Sequence, residues 1–286
     1  MQEDTEGTLL VAVANAETAD RLLDTAISIA DDRSYGISIV HVVEVPAQMP
    51  LSEGDRILEE DDRDALERAE ELAESADVPA ASRIRYARDT ATGIVGGADE
   101  YGADLILMGW RGRPPRRGVV LGSYLDRVLR NAPCDVLVKR IRTPQTTDVD
   151  DVLVPVGEGP HSRFATEVAA SIGRHHGARV TLLHVLSEDA TDDDRERADA
   201  LLDRIERTVG DIDVARKLLE GGHVSGSITD ETADHDVTVV GASERSLLRR
   251  KLLGTVSEAV GRHASGTVMI AQRHPSTASQ DDAASE

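Results

Sequence analysis

Four stretches of this sequence recur, in the same order, in its second half. Leu9-Leu10-Val11-Ala12-Val13 matches Val152-Leu153-Val154-Pro155-Val156. Ile37-Ser38-Ile39-Val40-His41-Val42-Val43 matches Val180-Thr181-Leu182-Leu183-His184-Val185-Leu186. Asp104-Leu105-Ile106-Leu107-Met108-Gly109 matches Asp236-Val237-Thr238-Val239-Val240-Gly241, and Gly122-Ser123-Tyr124-Leu125-Asp126-Arg127-Val128 matches Gly254-Thr255-Val256-Ser257-Glu258-Ala259-Val260. A shared order over four segments makes the chain a duplication rather than an accident of composition. Each repeat then has to close its own core in about 135 residues, an ordinary domain size.

The matched runs are short and continuously apolar, and helical patterns lie between them. Leu22, Leu23, Ala26, Ile27 and Ala30 recur at helical spacing, as do Leu66, Ala69, Leu72 and Ala73 in an acidic helix expected over Asp55 to Ala76. Ala165, Val168, Ala169 and Ile172 repeat the first pattern, and Leu201, Leu202, Ile205 and Val209 the second. Apolar strands alternating with amphipathic helices imply a parallel sheet covered on both faces. The fold class is therefore α/β: two tandem Rossmann-like or flavodoxin-like domains, each a five-stranded, mainly parallel sheet with helices on both faces. The expected divisions are 1–142 for the first domain, 143–150 for a polar linker, 151–273 for the second domain and 274–286 for a disordered tail.

Composition decides what such a pair of domains can work with. The 286 residues hold 53 acidic and 32 basic side chains, a formal charge of −21. Only Lys139, Lys217 and Lys251 among the basic residues are lysine. A uniformly acidic surface repels phosphate backbones and anionic lipid, which excludes nucleic acid and membrane surfaces as general partners. Scarce Lys, dominant Arg and abundant Asp resemble proteins of salt-loving archaea, where the Debye length is about 3 Å at 1 M salt. Hydrophobic residues make up 40% of the chain, enough for packed cores. The single cysteine, Cys134, excludes an intramolecular disulfide framework. No apolar run reaches the roughly 18 residues of a membrane span, and the start Met1-Gln2-Glu3-Asp4 is acidic, unlike a signal peptide, so the expected location is cytoplasmic.

One region offers an anion site. A strand expected over Asp104–Met108 runs into Gly109, then Gly112, then, after nine intervening residues, Gly122-Ser123 at the start of a helix. Glycine permits positive φ and close approach of a ligand to the backbone. A helix start presents free amides and partial positive charge to phosphate. Arg111, Arg113, Arg116 and Arg117 lie in between, with no acid among them. In an open parallel sheet, ligands bind beyond the carboxyl ends of the strands, where the strand order reverses.

This Gly-x2-Gly-x9-Gly-Ser/Thr pattern resembles that of the universal stress protein family, and the resemblance covers nearly the whole chain as two tandem domains. In the ATP-binding branch of that family the glycines and the Ser hold the phosphates. That implies Gly109, Gly112, Gly122 and Ser123 here, with Arg111 and the backbone amide of Tyr124 as further phosphate contacts. The residue after the second strand's His contacts adenine, which carries over to Val42. The implied ligand is ATP or another adenine nucleotide, with Mg²⁺ accompanying ATP. The resemblance also implies a stress-response role through conformation or an unidentified protein partner. It further implies pairing of the last strands, Asp135–Lys139 and Thr267–Ala271, as an internal pseudo-dimer able to form larger homo-oligomers. The family's ribose-holding Asp falls on Ala14 in the first half and on Gly157 in the second, with Asn15 next door as a substitute. In the second half Glu244 replaces the second glycine, so that copy is expected not to take ATP in the usual way.

Bland explanations compete at several positions. The glycine loop can be a tight turn without a ligand, and a scaffold or regulatory module, including one acting on a transporter, is the alternative to a nucleotide binder. His41 and His184 are expected to be core histidines with a satisfied hydrogen bond, not metal ligands. His175-His176 are neighbours in a helix and do not face each other. Cys134 is expected to be a small buried apolar residue. No nucleophile–base–orienter set, Gly-x-Ser-x-Gly elbow or Walker lysine is present.

Overall fold

A computed structural model describes residues 5–111, 123–141, 148–242 and 255–277. The chain divides into two compact units, residues 1–141 with the segment from His274 onward, and residues 142–273. His274 belongs to the first unit, and its backbone N–H donates to Asp135 Oδ1 at 2.6 Å.

The first unit runs β1 (Gly7–Ala12), α1 (Ala16–Arg33), β2 (Tyr35–Glu44), a 3₁₀ turn (Leu51–Ile57), α2 (Glu60–Ser75), β3 (Ala80–Ala87), α3 (Thr90–Glu100), β4 (Leu105–Trp110), α4 (Ser123–Asn131) and β5 (Asp135–Arg140). The second runs β6 (Asp151–Pro155), α5 (Pro160–His176), β7 (Arg179–Leu186), α6 (Asp192–Val209), β8 (Val214–Glu220), α7 (Val224–Glu231), a 3₁₀ turn (Thr232–Asp234), β9 (Val237–Gly241), α8 (Thr255–His263) and β10 (Thr267–Gln272). The expected α/β class is what the structure shows, with the same alternation in both units.

Strand order in the first unit is β3-β2-β1-β4-β5, and in the second β8-β7-β6-β9-β10. Every recorded pairing is parallel. From β1 the chain steps outward twice, then crosses back to β4 and continues the other way. Right-handed crossovers therefore place α1 and α2 on one face and α3 and α4 on the other; α1 indeed packs on α2 and α3 on α4. Sandwiched strands must be apolar on both faces, and Leu9, Leu10, Leu105, Ile106, Leu107, Met108 and Val136 are all buried.

Local chemistry fixes the helix ends. Asn15 caps α1 by accepting from Thr18 N at 2.9 Å, and Asp89 caps α3 by accepting from Thr92 N at 2.9 Å. The acidic helix starts at Glu60, not at Asp55: Glu59 and Asp62 form a reciprocal capping box, and Leu58 before them is extended. Asp55 lies instead in the 3₁₀ turn, where it accepts the Tyr86 hydroxyl. No helix among the described residues is long and apolar enough to cross a membrane.

Candidate functional site at the carboxyl edge of the first sheet

Strand order in the first unit reverses between β1 and β4, so the crevice lies at the carboxyl ends of those strands. The ladder puts Val40, Ala12, Met108 and Val138 in one row across β2, β1, β4 and β5. Val42 stands two residues past that row and Gly109 one residue past it. The register therefore brings both to the same sheet edge, two strands or about 10 Å apart.

Gly109 is not in a loop. β4 continues through Trp110 because the ladder with β5 persists, pairing Gly109 with Lys139 and Trp110 with Arg140. Nor does Gly109 use a positive φ, which among described glycines occurs at Gly102, Gly159, Gly177 and Gly210. Its bareness serves space: a Cβ there would lie 3.1 Å from the Ile141 side chain. Tyr124, the second residue of α4, donates its hydroxyl to the Gly109 carbonyl at 2.9 Å, tying the helix start to the strand end. Burial raises the Tyr124 phenol above its usual range, and the charge of Arg111 opposes that rise. Arg111 is exposed directly after the strand. Ser123 opens α4, while Gly112, Gly122 and the arginines at 113, 116 and 117 lie outside the described residues.

Val42 is half-buried on β2, and its side chain faces α3, where a Cβ on Gly93 would come 2.5 Å from Val42 Cγ1. Asn15 is committed as the α1 cap, its Oδ1 accepting from Thr18 N and Thr18 Oγ1.

Of the neighbouring groups, His41 and His184 are marked by the sequence as core histidines, whereas Asp62, Glu44, Arg88 and Asp89 are not. His41 is buried, its Nδ1 3.1 Å from Val13 O and its Nε2 2.8 Å from Asp62 Oδ1. His184 repeats the first contact, Nδ1 to Val156 O at 2.8 Å. His41 is the core histidine expected, His184 is only half-buried, and each ties the second strand of its repeat to the end of the first. Glu44 accepts from Thr90 N at 2.7 Å and from Thr90 Oγ1 at 2.6 Å, so the start of α3 already holds a carboxylate. Asp89 takes Thr92 N and the Arg127 guanidinium, the latter at 3.0 Å, and its hydrogen bonds, that from Thr92 N first, hold it below the usual carboxylate range. Arg88 donates to the carbonyls of Val45, Pro46 and Met49, pinning the loop after β2. Charged residues flanking strand ends (Glu44, Arg88, Asp89) are the signal that could have revealed this frame.

The second unit has a different edge. A Cβ on Gly241 would lie 2.7 Å from the backbone carbon and oxygen of His161 and 2.8 Å from Ser162 N. Packing against the first turn of α5 alone requires glycine there. Residues 243–254, including Glu244 and Gly254, lie outside the described residues. Cys134 is buried, which pushes its thiol up to about 12. The His175 and His176 rings meet edge-on with centroids 5.0 Å apart, closer than helical neighbours were expected to come. Among the described residues no group of three His, Cys, Asp or Glu could hold a metal ion.

Fold and edge together define a class: a doubly wound α/β pair whose first repeat carries a glycine next to the last residue of its fourth strand, before a serine-headed helix. The family model for universal stress proteins matches residues 7–140 and 149–272. The chain belongs to the universal stress protein family, as a tandem of two such domains. The Mycobacterium tuberculosis universal stress protein Rv2005c is 26% identical over 268 residues, covering 84% of this chain and 88% of that one. A universal stress protein structure from Archaeoglobus fulgidus superposes with a TM-score of 0.69 at 20% identity, over 95% of this chain and 98% of that one. The Na⁺/H⁺ antiporter NhaS5 of Synechocystis is 30% identical over 180 residues; the match covers 62% of this chain but only 26% of the antiporter.

Proposed function

We propose that this chain binds an adenine nucleotide, ATP foremost, in its first unit and acts in a stress response through conformation or a protein partner. Gly109, Arg111, Gly112, Gly122, Ser123 and Tyr124 serve the phosphates and Val42 the adenine. The observation that carries this reading is the meeting of Gly109 and the start of α4 at the strand-order reversal. Free amides of a first helical turn, a serine and an exposed arginine form a donor set suited to phosphate. The start of α3 is filled by Glu44 and Asp89, which leaves α4 as the anion-seeking helix start of the two. Bound ATP would bring Mg²⁺ as its counter-ion. A ligand that favours one of two conformations shifts the chain toward it, which is how binding becomes a signal.

The test is calorimetry with ATP in molar KCl, comparing the wild-type chain with Gly112→Glu, which copies Glu244 of the second repeat. Micromolar binding, one nucleotide per chain, lost in the variant, is expected. A folded wild-type chain that binds no adenine nucleotide sinks the reading.

The second reading is a regulatory module without a nucleotide, of the kind that acts on a transporter. It is favoured by the similarity to part of an antiporter and by the commitment of Asn15 to a helix cap, with no carboxylate at the family's ribose position.

A further inference from the structure

In both units a glycine carbonyl at the carboxyl end of the fourth strand, Gly109 beside the last residue of β4 and Gly241 as the last residue of β9, accepts a side-chain hydroxyl from the helix that follows. The two units supply it differently. In the second unit the donor is Ser257 Oγ at 2.9 Å, the third residue of α8 and 1% exposed. In the first unit the third residue of α4 is Leu125, fully buried and without a hydroxyl. The donor there is Tyr124, the second residue, whose hydroxyl also lies 2.9 Å away but whose side chain is 38% exposed. The second position of α8 is Val256. One repeat thus keeps its carbonyl satisfied from inside, and the other does so with a large ring laid across the strand end from outside.

The neighbourhood of this ring is unusual in two further ways. Arg111 is near enough for its charge to act on the phenol. Trp110, adjacent to Gly109, buries its Nε1 with no hydrogen-bond partner among the described residues. Buried donors without partners are rare in native structures, so among the described residues this strand end keeps one unsatisfied polar group.

We propose that Tyr124 is an affinity-determining residue, whose hydroxyl holds the Gly109 carbonyl in the free chain and must leave it before the phosphates of a nucleotide reach the start of α4. The ring bridges the strand end and the helix start, the two ends to which the nucleotide reading assigns the phosphates. Each binding event exchanges an internal hydrogen bond for ligand contacts, and apparent affinity is the intrinsic affinity multiplied by the fraction of chains in which the ring is open. In the second repeat the hydroxyl that serves this carbonyl, that of Ser257, is buried in the packing. This inference rests on the nucleotide reading and adds a residue that limits it.

The experiment uses the full chain, ATP as the probe, and Trp110, the sole tryptophan, as a fluorescent reporter. Tyr124→Phe removes the hydroxyl and keeps the ring; Tyr124→Val copies the second repeat. Calorimetry is expected to show ATP binding about fivefold tighter in Tyr124→Phe, the worth of one net hydrogen bond, and at least as tight in Tyr124→Val. Nucleotide-free Tyr124→Phe is expected to shift Trp110 emission in the direction that ATP shifts the wild type. Wild-type binding with unchanged or weaker binding in folded Tyr124→Phe overturns this proposal and leaves the nucleotide reading standing. No binding by wild type or either folded variant overturns both.

Discussion

Lys139 shows how much one side chain is governed by its surroundings. It lies on β5 with its ammonium 2.8 Å from Thr25 Oγ1 and 4.0 Å from Asp24, and burial lowers its pKa from 10.5 to about 8. Below pH 8 the group is charged in both folded and unfolded chains, and the cost of burying that charge is present in full. Between pH 8 and 10.5 the unfolded chain keeps a proton the native state has released, so stability rises with pH. Cys134 has the opposite sign, since burial raises its thiol from 9.0 to about 12 and stability falls as pH climbs past 9. The clean window is therefore pH 8 to 9. There, denaturant melts should show a wild-type gain of about 1 kcal/mol per pH unit that is absent in Lys139→Met. Equal slopes in the two proteins would show that the ammonium is not desolvated. Nothing in the run Asp135–Lys139 marks this lysine as buried. Its burial follows from β5 lying against α1, a tertiary fact.

At the scale of elements, helix caps were legible and strand edges were not. Asp89-Thr90-Ala91-Thr92 and Thr191-Asp192-Asp193-Asp194 carry cap chemistry in their spacing, and both caps form. Asp89→Ala should cost about 1 kcal/mol in equilibrium unfolding, while Asp89→Asn, which still accepts from Thr92 N, should cost a few tenths. If both variants melt alike, Arg127 pairing rather than capping is what Asp89 contributes. The β3 and β8 strands each pair with one neighbour inside their unit, and both carry two basic residues, Arg83 and Arg85 on one and Arg216 and Lys217 on the other. Charges on an edge strand discourage pairing with foreign chains. The anion patch in Arg111–Arg117 is legible in the sequence, but the edge position of these four residues is not, because strand order is a matter of crossovers and not of local pattern. Nor is the true start of the acidic helix, since acid content alone does not distinguish a helix from the turn around Asp55 that Tyr86 holds.

Across the whole molecule, charge outweighs individual ion pairs. A formal charge of −21 makes compaction work against self-repulsion, while exposed pairs such as Arg68 with Asp20 contribute little each. Salt weakens both, and the repulsion is the larger sum. The melting temperature is expected to rise between 0.1 M and 2 M KCl, where the Debye length falls from about 10 Å to below 3 Å. A melting temperature that falls with KCl would mean that the ion pairs dominate, and it would remove the case for adaptation to high salt. Duplication is the other whole-molecule property. Two repeats with one fold differ at the carboxyl edge in the hydroxyl that serves the glycine carbonyl, in the cap of the first helix and in the packing of Gly241. Function follows such local differences and not the shared frame.

The duplication, the α/β class, the order of elements and the glycine-bearing segment after the fourth apolar run are all determined by the sequence itself, because apolar runs, helical periodicity and cap residues act between near neighbours. Tertiary structure alone decided that Gly109 sits in the strand, that Val42 turns its side chain to α3, that His41 reaches Asp62, and that Tyr124 lies on the Gly109 carbonyl. Each of these joins residues from different elements. Their contact depends on sheet order and helix placement, which are set by burial summed over a whole unit and are written in no single stretch of chain.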